Sequence, residues 1–161
     1  MTDLPEEIPR NVDVVSCIWA LHHLPTPDHV RFCLSEIRKI QAMSDCAVWI
    51  FDFARFRRAE TFPAMLRTVS DVPPRLLEDG IASERAAWSD AELRSWVQES
   101  GLTNLTGGRE RRVGWCQVYL SRPHDREGGH ARNWAAPPLG RAGEREVDRL
   151  RKGLPTLPPG I

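Results

Sequence analysis

The sequence predicts an α/β fold in which two parallel strands, joined by a crossover helix, are followed by an antiparallel hairpin. Three observations support it: an apolar run over 12–25 that closes on two adjacent histidines and a proline, a helical pattern over 26–44, and a second apolar run over 46–53. A short continuous apolar run with β-branched residues is typical of a strand buried on both faces. A crossover helix makes the two strands parallel and right-handed.

Composition limits the classes of partner. The 161 residues suffice for one modest core, and the 22 basic and 22 acidic side chains balance. Neither nucleic acid nor a membrane is therefore expected as a partner, and no apolar run approaches the roughly 20 residues that span a bilayer. Residues 1–10 carry three acidic side chains and no apolar core, unlike a secretory signal. We expect a cytoplasmic protein.

The cysteines are predicted to be free and buried. They lack CxxC spacing and lie in apolar segments, at Cys17, Cys33, Cys46 and Cys116. Free cysteine packs like a small hydrophobe, and a reducing cytosol disfavours disulfides. A zinc site built from Cys17, His22 and His23 would lack a fourth ligand and the usual spacing, so we expect no bound metal.

The helix after the histidines has a clear start and end. Thr26, Pro27 and Asp28 combine a capping hydroxyl, a proline at the first helical position and an acid in the first turn. The pattern breaks at 44–45. The predicted buried face is Val30, Cys33, Leu34, Ile37 and Ile40, and the residues expected off it are Arg31, Glu36, Arg38 and Lys39.

The segment after the second strand is less regular. A helix is predicted near 62–69, and the prolines at 73–74 are expected to end it. Ser89 and Glu92 then form a capping box, and Trp88 and Leu93 a hydrophobic staple. Gly101 stands where a left-handed cap would stop the helix. The buried face of that helix is predicted to be Leu93, Trp96 and Val97.

The C-terminal part divides into a hairpin and a tail. Residues 103–110 and 113–121 are predicted as two strands around a turn. From 122 onward glycine and proline are frequent and apolar residues sparse, which predicts a disordered tail with a short charged helix at 144–152. We therefore expect two parts, 1–121 as the folded domain and 122–161 as the tail.

Several segments together resemble class I S-adenosylmethionine-dependent methyltransferases. Residues 13–24 (DVVSCIWALHHL) resemble the fourth strand of that family and its following loop, and 48–55 (VWIFDFAR) its fifth strand. Residues 85–89 (RAAWS), the capped helix and the hairpin resemble its closing elements. The resemblance implies a partial Rossmann-like sheet, S-adenosylmethionine as the cofactor, and methyl transfer to a small-molecule acceptor.

One element of the family is missing. Its glycine-rich cofactor loop precedes the fourth strand, but this chain has no glycine before Gly80. The resemblance therefore implies a truncated domain that lacks its N-terminal half and is inactive alone. The strand at 12–20 would then lose a partner, and its free edge would promote self-association. The alternative is an inactive remnant or an interaction module that pairs through this edge.

The resemblance also implies roles for residues at the strand ends. Cofactor contacts fall on Cys17, Ile18, Trp19 and His22, for which simple core packing is the alternative. His23 would be the catalytic base, unless the histidine pair only shapes the mouth of the site.

Further polar side chains lie after the second strand and in the hairpin. Asp52 and Arg55 are expected after the second strand, as substrate-binding residues or as an exposed ion pair of little energetic value. The hairpin arginines are expected to form a solvated loop, and they are Arg109, Arg111 and Arg112.

Overall fold

The structure is a computed structural model, and it describes residues 12–68, 73–121 and 140–153. In the first half of the chain lie β1 (Val14–Ile18), a 3₁₀ turn (Leu21–His23), α1 (Pro27–Ser44) and β2 (Ala47–Phe53). In the second half lie α2 (Thr61–Leu66), α3 (Pro74–Ala86), α4 (Asp90–Glu99), β3 (Thr106–Arg109), β4 (Cys116–Leu120) and α5 (Arg141–Gly153).

The strands form one mixed sheet in the order β1-β2-β4-β3. β1 and β2 are parallel, with Val14 opposite Ala47 and Ile18 opposite Phe51. β4 lies antiparallel between β2 and β3. The predicted α/β class, its crossover helix and its C-terminal hairpin are confirmed.

Helix α1 follows the local signals closely. The Thr26 hydroxyl accepts from the His29 N–H, and Pro27 opens the helix. Asp45 ends it in the left-handed region, with φ 50°. Every residue of the predicted apolar face is buried. Glu36, which was expected off that face, is also buried, and its carboxylate pairs with the Lys39 ammonium.

The core lies on one face of the sheet. Side chains of α1 and α4 pack there against alternate residues of the strands. Its fully buried members include Leu34 of α1, Ile50 of β2 and Leu93 of α4, with Trp96 and Tyr119 beside them. Each buried aliphatic side chain of this size contributes about 2 kcal/mol of hydrophobic free energy.

The prediction that β1 is buried on both faces is wrong. Cys17 is buried, but Val14 is 38% and Ile18 50% exposed, and Ser16 is also exposed. Among the described residues β1 is an edge strand that pairs with β2 alone. An apolar run shows that a strand can be buried on both faces, but it does not show whether a second layer covers it.

The prolines at 73–74 were misinterpreted. They were expected to end a helix, but Pro74 is the first residue of α3. Proline suits that position because its missing N–H would have no intrahelical partner there. The predicted helix at 62–69 corresponds to α2, which ends earlier, at Leu66, and residue 69 lies outside the described part of the chain.

The signals around α4 are confirmed. Ser89 and Glu92 form the reciprocal capping box, and Gly101 has φ 71°. β3 begins at Thr106, later than predicted, since the Gln41 side chain of α1 exchanges two hydrogen bonds with the Thr103 backbone. Those bonds hold the preceding loop against α1.

The C-terminal helix is also present. α5 covers the charged segment predicted to be helical, and its last carbonyl, at Gly153, accepts from the Arg111 N–H at 3.1 Å. The predicted disorder of the rest of the tail concerns 122–139 and 154–161, outside the described residues. Across the described segments, no helix is long and apolar enough to cross a membrane. All four cysteines are buried, and none of them is in a disulfide bond.

Candidate functional site

A histidine and an aspartate meet at the carboxyl ends of the two parallel strands. Asp52 lies in β2 and is 2% exposed, and His22 lies in the turn after β1 and is 5% exposed. The His22 Nδ1 is 2.6 Å from the Asp52 Oδ1, and the His22 N–H donates to Oδ2 at 2.9 Å. The Phe53 N–H donates to Oδ1 at 2.7 Å. The parallel register brings the two together.

This pairing defines the state of the imidazole. A carboxylate in its ionised form only accepts hydrogen bonds, so beside an ionised Asp52 the proton between the two side chains would lie on Nδ1. Nε2 then has a lone pair, and within the described segments it makes no hydrogen bond. A histidine held by a carboxylate in this way is suited to take a proton through Nε2, because the carboxylate stabilises the imidazolium that forms.

His23 has a different environment. Its side chain is exposed, and its ring centroid lies 4.0 Å from that of His22. No carboxylate among the described residues pairs with it. The sequence analysis expected His23 to be the catalytic base, and that role stays a prediction; the histidine that contacts a carboxylate is His22.

Trp19 anchors an aromatic cluster beside the pair. Its backbone is left-handed, with φ 51°, and its N–H donates to the Phe51 carbonyl at 2.8 Å. The indole contacts Phe51, Phe53 and Trp115, at centroid distances of 4.5, 4.4 and 5.5 Å. Left-handed backbone costs a bulky residue roughly 1–2 kcal/mol, so this packing has to offset it. Sequence reasoning missed Trp115, which follows the hairpin turn.

The residues expected to contact the cofactor do not surround one space. Cys17 points into the core and Ile18 to the opposite, exposed face, because successive side chains of a strand alternate. A hydrogen bond with the Cys33 thiol, together with burial, raises the pKa of Cys17, so this thiol stays protonated. His22 is hydrogen-bonded to Asp52. Of the four residues, only Ile18 and Trp19 therefore lie together, on the face of the sheet opposite the core. The described residues alone do not form a complete cofactor site.

Asp52 and Arg55 do not form the exposed pair that was considered. Asp52 lies inside β2 rather than after it, and it is bonded to His22. Arg55 instead donates to Glu92 at 2.8 Å, and both side chains are about 40% exposed (43% and 39%). The Ser89 hydroxyl, with a smaller contribution from Arg55, holds the pKa of Glu92 below its usual range. Arg55 therefore adds an exposed ion pair to the capping box of Ser89 and Glu92, which starts α4.

The hairpin turn contains more structure than a solvated loop. Arg111 and Arg112 are exposed, as expected, but Arg109 lies on β3. Its Nε donates to the Gly114 carbonyl at 2.5 Å, and its guanidinium stacks 4.9 Å from the Phe56 ring centroid.

Glu110 organises the same turn. Its carboxylate accepts from the backbone N–H groups of Arg112, Val113 and Gly114 at 2.7–2.8 Å. Burial alone would raise the pKa of Glu110, but these three donors and the charge of Arg112 hold it below its usual range. An open depression of about 360 Å³ lies between this turn and the segment after β2.

No group of three or more histidine, cysteine, aspartate or glutamate residues in the described segments could hold a metal ion.

No protein-family model and no curated protein matches the chain. One solved structure with a similar backbone is a protein of Nostoc punctiforme whose name assigns it to the O-methyltransferases. The identity is 17% and the TM-score 0.43, over 68% of this chain and 31% of that one. The present chain thus matches about a third of the other protein, and the match does not assign it to a family.

Proposed function

We propose that this chain is part of an S-adenosylmethionine-dependent methyltransferase that acts on a small-molecule hydroxyl or amine. The observation that carries the proposal is the buried His22–Asp52 pair at the carboxyl ends of two parallel strands. Open α/β sheets bind their ligands at that end. The resemblance of 13–24 and 48–55 to methyltransferase strands supplies the reaction type.

The pair has a defined task in such a reaction. An acceptor hydroxyl or amine loses a proton as it gains a methyl group, and the Nε2 of His22 takes that proton. Asp52 orients the ring and stabilises its protonated form. The cofactor supplies the methyl group when bound, and alignment of the reactants accounts for most of the rate. In this mechanism the chain contributes the groups that deprotonate the methyl acceptor.

The first test is whether S-adenosylmethionine binds at this end of the sheet. We expect millimolar S-adenosylmethionine to shift the indole N–H signals of Trp19 and Trp115 in a ¹H–¹⁵N NMR spectrum. The indole of Trp96, in the core, should stay in place. Shifts of equal size at all three, or at none, would contradict cofactor binding at this site.

The second test separates the two histidines. With radiolabelled S-adenosylmethionine and a panel of small hydroxyl and amine acceptors, turnover by the unchanged chain is measured first, and its absence would favour the alternative of an inactive remnant. Where the chain turns over, His22→Gln should lower kcat by about 10²–10⁴-fold. The matched control is His29→Gln, since His29 is exposed at the start of α1. If His23→Gln abolishes turnover and His22→Gln does not, the proton acceptor is His23.

A second proposal concerns the exposed side of the sheet. Among the described residues the outer edge of β1 is unpaired, and exposed apolar side chains lie on the face opposite the core, at Val14, Ile18 and Trp49. An unpaired apolar edge strand is a template for pairing with another strand. We infer that two copies of this chain associate through β1. Sedimentation equilibrium over a hundredfold concentration range should show a monomer–dimer equilibrium, and a strict monomer would contradict it.

A further inference from the structure

We propose that the depression beside the hairpin turn, which is distinct from the His22–Asp52 pair, binds the phosphate group of a phosphorylated small molecule. It lies between residues 56–61, which follow β2, and the turn at 109–114. Its volume of about 360 Å³ falls within the range of small-molecule sites. The two segments are held together, because the Ala54 N–H donates to the Trp115 carbonyl and Arg109 stacks on Phe56.

The charge of the depression is strongly positive. Five arginines line it in a chain whose net charge is zero. Arg109 is committed to Gly114 and Phe56. The other four are exposed, and within the described segments their guanidinium groups make no hydrogen bond and no ion pair: Arg57, Arg58, Arg111 and Arg112.

The one lining carboxylate offsets only part of this charge, through its interaction with Arg112. Glu110 is 8% exposed, and its oxygens face the turn, where they accept from three backbone N–H groups. It therefore serves to fold the turn that presents Arg111 and Arg112. Among the described residues no side chain is hydrogen-bonded to these four guanidinium groups, so their N–H donors face the depression without a protein partner there.

Phosphate matches this arrangement better than a carboxylate does. A guanidinium binds an oxyanion through two parallel N–H bonds, and arginine is favoured wherever such two-pronged recognition matters. A phosphate monoester carries three acceptor oxygens and a charge of about −1.5 to −2 near neutral pH, whereas a carboxylate has two oxygens and one charge. The exposed Thr61 hydroxyl adds a further donor to the lining.

The site also lies near the carboxyl ends of the parallel strands. The ring of Phe56, which lines the depression, has its centroid 5.9 Å from that of Phe62. The centroid of Phe62 lies 6.0 Å from that of Phe53, which in turn lies 5.3 Å from the centroid of the His22 ring. A chain of ring contacts thus joins the depression to the His22–Asp52 pair.

The experiment is calorimetric titration of the full chain with phenyl phosphate in 0.15 M NaCl, with benzoate as the carboxylate analogue. We expect phenyl phosphate to bind and benzoate to bind at least about tenfold more weakly. In Arg57→Ala and Arg112→Ala the affinity for phenyl phosphate should fall at least about tenfold, since each variant loses at least one hydrogen bond to a charged group.

Arg75→Ala is the matched control, because Arg75 is exposed on α3 and does not line the depression. It should leave the affinity unchanged. Absence of phenyl phosphate binding, equal binding of benzoate, or equal weakening in Arg75→Ala would overturn the proposal. Displacement of phenyl phosphate by a short DNA duplex at equal phosphate concentration would also overturn it, since the surface would then be a general polyanion site.

Discussion

Asp52 contributes to stability through three hydrogen bonds that it accepts while almost fully buried. Two of them come from His22 and fix the turn after β1, and the third comes from the following backbone N–H. A buried carboxylate is tolerated only where such donors surround it. The same side chain therefore maintains the fold and orients the imidazole.

We expect Asp52→Ala to lower the free energy of unfolding by about 3 kcal/mol, because three donors lose a charged acceptor. Asp52→Asn keeps one acceptor oxygen and should cost less. Urea denaturation at pH 7 measures both changes. The control is Asp28→Ala, whose exposed pair with Arg31 should be worth less than about 1 kcal/mol. Equal losses for Asp28→Ala and Asp52→Ala would contradict the role of burial.

The sequence predicted that both histidines lie at the end of β1, but not that their environments differ. His22 and His23 are adjacent and follow the same apolar run, so the sequence around them does not distinguish one from the other. The difference arises because the turn at Leu21–His23 directs one ring to Asp52 and leaves the other exposed. That partner is 30 residues away, so no local pattern could predict it.

The helix caps were predictable because their signals are local. Ser89 and Glu92 are three residues apart, and each satisfies a backbone N–H of the other. Pro74 was misinterpreted because proline both ends helices and begins them. The residues that follow, up to Ala86, carry few large apolar side chains, and α3 is correspondingly exposed on most of its surface.

We expect Ser89→Ala to lower the free energy of unfolding by about 1 kcal/mol, through loss of the hydroxyl that accepts from the Glu92 N–H. Chemical denaturation measures the change. Ser35→Ala on α1 is the control, since that hydroxyl is exposed and bonds only within its own helix. Its effect should stay within about 0.5 kcal/mol.

The hairpin turn should be sensitive to acid. The pKa of Glu110 is lowered in the folded chain, so its contribution to stability is present above the pKa of the unfolded state, about 4.3, and is lost as the pH falls through the folded value. We expect Glu110→Gln to destabilise the chain by about 1–3 kcal/mol at pH 7 and by much less at pH 3. Urea titrations at both pH values test this.

Glu78→Gln provides the comparison for Glu110, because Glu78 is exposed on α3. Its effect should be small and independent of pH. A Glu110→Gln penalty that is the same at pH 7 and pH 3 would show that the carboxylate charge does not hold the turn.

Among the described residues α1 and α4 cover one face of the sheet, whereas on the other face Val118 of β4 is buried and the apolar side chains of Val14, Ile18 and Trp49 are exposed. The α/β class and strand pairing follow from the order of apolar runs and one amphipathic helix, which is why sequence reasoning found them. The exposure of Val14 and Ile18 did not follow, since it depends on what packs on the second face. The local sequence pattern is enough to predict the helices and strands, whereas the exposed surface of the sheet depends on which elements pack against it.

We expect Ile18→Lys to weaken self-association of the chain at least tenfold, because a charged side chain on an edge strand opposes pairing with another strand. Analytical ultracentrifugation measures the equilibrium. Met43→Lys is the control, since Met43 is 58% exposed but lies on α1, away from the edge. If both variants weaken association equally, exposed apolar area in general is responsible rather than β1.

The stacked indoles of Trp19 and Trp115 give the molecule a built-in optical reporter. Their ring planes are 25° apart and their centroids are separated by 5.5 Å, close enough for the electronic transitions of the two rings to couple. One ring follows β1 and the other the β3–β4 turn, which are distant in the chain. The circular dichroism of this couple therefore records whether the two regions stay in register during heating or titration, without any attached dye.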